Sequence, residues 1–242
     1  MTMTSDAPIL LIHGGCHRGD CWRLLVPALE ALGRRAVAID LPGHGRDPAA
    51  DPAPKTLDDG IAAVVETLRR FDRPALLVGH SLGGMTISGA AERAPETIER
   101  LVYLSALLPR DGETGAALAA TPGLRAEVGS YLLDDGQRIA VKADRARDLF
   151  YADCPDDVAA AAIEALVPTD LGYLAQPVTL SADRFGRVPK TYVHCLRDRA
   201  IEMEAQISFC SASPGIDARE IDASHSAFLS RPGELATLLA GL

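Results

Sequence analysis

Short apolar runs that end in turn residues alternate along the chain with stretches of helical spacing. Ile9 to Ile12 predicts a buried strand that closes at His13-Gly14-Gly15, and Trp22 to Leu32, ended by Gly33, predicts a helix. Ala36 to Ile39 is the next strand and runs into Leu41-Pro42-Gly43-His44-Gly45. Residues 46–55, rich in Pro and Asp, read as a surface loop, after which Leu57, Ile61, Val64, Val65 and Leu68 keep a helical spacing. Ala75 to Val78 is a further strand, Gly79-His80-Ser81-Leu82-Gly83-Gly84 opens a helix, and Leu101 to Leu104 follows as a strand. From about Pro109 to Arg187 the alternation stops, with glycines, Pro168, Pro177 and short helical stretches such as Asp156 to Leu166. It resumes with a strand at Thr191 to Cys195, a helix at Met203 to Phe209, a strand at Ala218 to Ile221 and a closing helix at about Ala227 to Leu239.

Repetition of strand, helix and strand implies crossovers of one hand and a parallel sheet. The expected class is therefore α/β, a mostly parallel open sheet with helices on both faces. The core takes residues 1–108 and 187–242, and residues 109–186 form an insertion folded over the sheet as a cap.

A length of 242 residues is near the upper end of what one hydrophobic core supports, so no second independent domain is required. A net charge of −9 repels a phosphate backbone, and aromatics at 5% supply no stacking platform, so nucleic acid is not an expected partner. Met1 to Pro8 lacks a basic start followed by an apolar stretch, and no apolar run approaches the roughly 18 residues of a membrane span. Neither a signal peptide nor a membrane partner is indicated. Cys16, Cys21, Cys154, Cys195 and Cys210, odd in number and irregularly spaced, read as reduced thiols, which fits a cytoplasmic setting.

In an open parallel sheet, ligands gather at the carboxyl ends of the strands. Gly79-His80-Ser81-Leu82-Gly83 places Gly-x-Ser-x-Gly directly after a strand and before a helix, the context of a sharp turn that holds Ser81 above the sheet. The bland alternative is a glycine-rich turn or a phosphate loop without its Lys. A serine hydroxyl needs a base, and of six histidines only His225 follows the last strand and precedes the last helix. A solvated loop histidine is the competing reading. The carboxylate expected to orient the imidazole is Asp198, just beyond the strand Thr191 to Cys195, with Asp183 and Asp222 as rivals. Asp198 otherwise reads as a surface carboxylate paired with Arg197 or Arg199. For a developing oxyanion, the backbone amides of Leu82 and Gly15 are the candidate donors; those glycines also serve simply as a turn.

His13, Cys16, His17, Asp20 and Cys21 cluster in sequence without a metal-binding spacing, so no metal is expected. No Gly-x-Gly-x-x-Gly follows the first strand, which leaves a dinucleotide without support, and no cofactor is expected.

Together, His13-Gly14-Gly15, Asp40-Leu41-Pro42-Gly43-His44-Gly45, Gly79-His80-Ser81-Leu82-Gly83-Gly84, Asp198 and His225 resemble the α/β-hydrolase superfamily. Val193-His194-Cys195-Leu196-Arg197-Asp198-Arg199-Ala200-Ile201, with Glu204 and Gln206, is similar to the plant methylesterase and hydroxynitrile lyase group. Asp153-Cys154-Pro155-Asp156-Asp157 and Asp183-Arg184-Phe185-Gly186 agree with it. That resemblance implies a small cap over the serine and esters of modest size as substrates. Lyases of the group carry a hydroxyl-bearing residue in the first loop and a lysine after the histidine; here these positions are Gly14 and Ser226, which weakens the lyase reading. Pro42-Gly43-His44-Gly45 is the general bacterial-type turn rather than the plant form.

The expected function is that of a cofactor-independent serine hydrolase cleaving a methyl or short alkyl ester through an acyl-enzyme. A hydroxynitrile lyase and a slow-turnover ligand-binding protein are the alternatives. The partner expected is a small-molecule ester, and a homodimer is compatible with the sequence. Tyr131, Phe150, Tyr151, Tyr173 and Phe185 lie in the insertion as candidates for either an acyl pocket or the cap's own core.

Overall fold

The computed structural model describes residues 7–45, 53–125, 129–133, 136–213 and 215–242. The start of the chain before Ala7 and most of the loop expected at 46–55 lie outside the described residues. Six strands form one sheet: β1 (Ile9–Ile12), β2 (Ala36–Ile39), β3 (Ala75–Ser81), β4 (Ile98–Ala106), β8 (Lys190–Cys195) and β9 (Asp217–Ile221), in the order β2-β1-β3-β4-β8-β9. Every pairing in this sheet is parallel. Side chains of a strand alternate between faces, and here both faces are covered. Leu10, Ile12, Leu77, Leu101 and Tyr103 pack on one side with α2 (Leu57–Leu68) and α3 (Gly83–Arg93). Ile9, Leu11, Leu76, Val78, Val102 and Leu104 pack on the other, against Trp22, α1 (Leu25–Ala31) and α10 (Pro232–Ala240). That two-sided burial is why the strands read as continuous apolar runs. The chain leaves β1 for β2 on one side and returns to β3 on the other, so loops after β1 and β3 splay apart at a topological switch point.

Between β4 and β8 lie α4 (Gly115–Ala119), β5 (Ser130–Leu132), β6 (Arg138–Val141), α5 (Ala143–Phe150), α6 (Asp156–Glu164), β7 (Thr169–Asp170) and α7 (Gly172–Ala175). The three short strands form a separate antiparallel sheet, β5-β6-β7, which the apolar pattern did not predict.

Four helices differ from their expected extents, one of them Met203–Ser211, which runs two residues past Phe209. Residues Gly19–Trp22 form a 3-10 turn, and α1 begins only at Leu25. Helix α6 ends two residues early, at Glu164. The closing helix is two, α9 (Ala227–Ser230) and α10, because Pro232 cannot follow a helical residue without a clash and Arg231 takes φ −137° and ψ 47°. Helix α8 (Met203–Ser211) lies between β8 and β9. Thr56 caps α2 by exchanging hydrogen bonds with Asp59, a capping box.

Candidate active site

Ser81 closes β3 in the left-handed region at φ 52°, where a residue with a Cβ is strained. The flanking glycines are fixed by space. A Cβ on Gly83 would stand 2.6 Å from the His13 carbonyl oxygen, and one on Gly79 would stand 2.9 Å from the Gly83 carbonyl oxygen. The turn therefore tolerates no larger residue on either side, and the strain at Ser81 is held by the sheet below and α3 above.

The structure brings His225 and Asp198 together. His225 Nδ1 donates to Asp198 Oδ2 at 2.7 Å, with the two side chains 1% and 0% exposed. Asp198 Oδ1 accepts from the amides of Ala200 and Ile201 at 2.7 and 2.9 Å. With Nδ1 carrying the proton, the neutral ring presents a lone pair at Nε2, and that buried atom has no hydrogen-bond partner among the described residues. Ser81 and His225 line the same cavity, not yet hydrogen-bonded to one another; such bonds commonly tighten only with substrate in place. Of the rival carboxylates, Asp222 pairs with Arg197 at 2.8 Å and Asp183 is exposed. Arg199 pairs with Asp148, so Asp198 is not a surface partner of either neighbouring arginine.

Gly15 and Leu82 also line the cavity, on opposite sides of the switch point. Leu82 stands at the N-terminal end of α3, where backbone N–H groups lack intrahelical acceptors. The cavity, about 270 Å³, is walled by Leu107, Ala116, Ala119, Leu124, Ile139, Val141, Phe150, Leu174 and Ile201, and among the described residues no Asp, Glu, Lys or Arg lines it. Of the cap aromatics, Phe150 alone both lines it and packs on His225, ring centres 5.4 Å apart. Tyr151 and Tyr173 are buried and donate to His17 and to the Pro42 carbonyl, Tyr131 is exposed, and Phe185 lies beneath the Lys190 ammonium.

Several contributors were not visible in the sequence. Ser105 Oγ donates to Asp198 Oδ2, sharing that oxygen with His225. Its trace in the sequence is a lone hydroxyl residue at the carboxyl end of the apolar run Leu101 to Leu104. Asp153, from the insertion, accepts from the Ser224 amide at 3.1 Å and from Ser224 Oγ, tethering the loop that carries His225. Burial raises the Asp153 carboxyl, but these bonds outweigh it and leave its pKa lowered. His80 Nε2 donates to the His225 carbonyl at 3.0 Å, with the two rings 4.4 Å apart. All five cysteines are free thiols. Of the residues clustered in sequence near the first loop, His13 and His17 have both ring nitrogens engaged within the protein: His13 with Gly14 O and Leu41 N, His17 with Gly15 O and Tyr151 Oη.

Burial holds the imidazoles of His13, His17, His44 and His80 neutral. His80 is depressed first by desolvation and then by the charges of His225 and His17, and His17 is pulled down to about 4, chiefly by desolvation. In the unfolded chain the same rings take up protons below about pH 6.5. Between those values the unfolded state binds more protons, so stability is complete above about pH 6.5 and falls as pH decreases toward 4. His17 alone is expected to remove on the order of 2 kcal/mol by about pH 5. Urea unfolding at neutral pH and near pH 5 checks this, and equal stability at both would contradict it.

A profile of the alpha/beta hydrolase family matches residues 9–238 of this sequence. The chain belongs to that family. Among similar proteins, a pyrethroid hydrolase of Sphingobium wenxiniae is 29% identical over 250 residues, covering 99% of this chain and 88% of that protein. Methylesterase 9 of Arabidopsis thaliana is 29% identical over 244 residues, covering 95% of each. The crystal structure of a pyrethroid hydrolase from Sphingobium faniae superposes with a TM-score of 0.84 at 27% identity, over 97% of this chain and 96% of that one. The family membership accounts for the parallel sheet with an inserted antiparallel segment. No helix among the described residues is long and apolar enough to cross a membrane.

Proposed function

We propose that this protein is a serine carboxylic ester hydrolase that works through an acyl-enzyme. The observation that carries the reading is the buried Asp198–His225 pair, whose Nε2 has no partner among the described residues and whose ring lines the same cavity as a serine held on a strained turn. Ser81 Oγ attacks the ester carbonyl while His225 Nε2 takes its proton, and Asp198 holds the imidazole and stabilises its charged form. The Gly15 and Leu82 amides receive the oxyanion. His225 then returns the proton to the departing alcohol and activates water against the acyl group. The esterases and pyrethroid hydrolase among its relatives support this class of reaction.

The described walls favour an uncharged, apolar acyl group, because a carboxylate or ammonium entering this cavity would lose its hydration without a partner of opposite charge among them. The alcohol is methyl or another short alkyl group. A panel of p-nitrophenyl and methyl esters tests this. Acyl groups bearing a charge are expected to fall at least about 10-fold in kcat/KM below isosteric apolar ones, given the cost of burying an unpaired charge. Equal turnover of charged and apolar acyl groups would refute the assignment. Hydrolysis is favoured over cyanohydrin cleavage by the first loop: a Cβ on Gly14 would lie 2.7 Å from Ser81 Cβ, so no hydroxyl-bearing side chain fits there. At the position after His225, Ser226 brings no positive charge.

A further inference from the structure

We infer that Thr169, from the inserted segment, is a positioning residue that holds the Gly14–Cys16 loop in the form that presents the Gly15 amide to the oxyanion. This rests on the ester-hydrolase reading above. Cys16 sits in the left-handed region at φ 59°, an unusual place for a residue with a Cβ, next to two glycines that impose no conformation of their own. The His13 and His17 rings hold the Gly14 and Gly15 carbonyls locally, whereas the contacts to the Cys16 backbone come from about 150 residues further along the chain. The Cys16 amide donates to Thr169 Oγ1 at 2.7 Å, and the Cys16 carbonyl accepts from the Val167 amide at 3.0 Å.

The hydroxyl is itself directed. His44 Nδ1 donates to the Pro42 carbonyl at 3.1 Å, which leaves Nε2 of the neutral ring as an acceptor, 3.0 Å from Thr169 Oγ1. The threonine proton therefore goes to His44, and its oxygen lone pairs face the Cys16 N–H. Burial lowers the His44 pKa and keeps that acceptor available at neutral pH. Thr169 is 1% exposed, lines the cavity, and lies close to Gly15, 3.7 Å from where a Cβ on that glycine would stand. A hydroxyl, not mere bulk, is what this position supplies: an isosteric valine would leave the Cys16 N–H unpaired against a methyl group.

The test is Thr169→Val, with Thr169→Ser as the conservative rescue and Thr169→Ala as a second loss of the hydroxyl. A positioned oxyanion donor is worth about 10²- to 10³-fold in rate, so displacing one is expected to lower kcat about 10- to 100-fold while KM stays within about twofold. An alkylboronic acid, which forms a tetrahedral adduct with the serine, is expected to bind more weakly to Thr169→Val by the same factor as kcat. A neutral alkyl ether of matching shape, which has no carbonyl oxygen for the oxyanion donors, should bind both proteins equally. Thr169→Ser is expected to recover activity to within about threefold, since its hydroxyl offers the same donor and acceptor.

Wild-type kcat and boronate affinity in a folded Thr169→Val protein would overturn the proposal, as would equal losses in ether and boronate binding. If neither Thr169→Val nor Thr169→Ala folds, the hydroxyl serves the fold and the positioning role is refuted. A wild-type protein that neither turns over esters nor binds the boronate would instead refute the hydrolase reading beneath it, a result distinct from those.

Discussion

Replacing Ser81 by alanine is expected to lower kcat/KM for ester hydrolysis by at least about 10⁴-fold, the scale on which nucleophile removal acts in serine hydrolases. The fold should survive. Alanine has less bulk than serine, and the strained φ at position 81 is enforced by Gly79, Gly83 and their contacts rather than by the hydroxyl. Thermal unfolding within a few degrees of wild type, together with residual hydrolysis no more than about 10³- to 10⁴-fold above the uncatalysed rate, is the expected pair of results. Retention of most of the activity would remove Ser81 from the mechanism.

Asp198→Asn is expected to cost about 10⁴-fold in kcat with little loss of stability, and the reason lies in the tautomer. Two amide donors, from Ala200 and Ile201, converge on Oδ1. An asparagine at 198 keeps those bonds only by placing its carbonyl oxygen there, which turns its NH2 group toward His225 Nδ1. That nitrogen must then accept rather than donate, so the ring proton moves to Nε2, which can no longer take the serine proton. Ser105 Oγ now donates to Asp198 Oδ2; beside an NH2 group it can rotate to accept, so the wrong tautomer would be stable. Steady-state kinetics with one activated ester checks the loss, and a variant with more than about a tenth of wild-type kcat would show that Asp198 does not set the imidazole's orientation.

The core and the candidate site were legible in the sequence to different depths. Strands buried on both faces leave continuous apolar runs, and the turn at Ser81 must carry glycine where backbone atoms approach within 3 Å, so both leave marks in the local sequence. The break between α9 and α10 was also written locally, in Pro232, but the apolar periodicity running through it suggested one helix. The β5-β6-β7 sheet was not legible. Its strands are two to four residues long, too short for an alternation to register, and are held by pairing across the insertion. Thr169, Ser105 and Asp153 were hidden for a related reason: each is an ordinary polar residue whose role depends on a partner 71 to 153 positions away.

The most direct test of the serine assignment is covalent trapping followed by peptide mass spectrometry. A fluorophosphonate bearing a short alkyl chain, added in stoichiometric amount, should place one phosphonyl group per chain on the hydroxyl of Ser81. Esterase activity should fall in proportion to the fraction labelled, and Ser81→Ala protein should remain unmodified. A label found on another residue, or full activity in protein quantitatively modified at Ser81, would contradict the account.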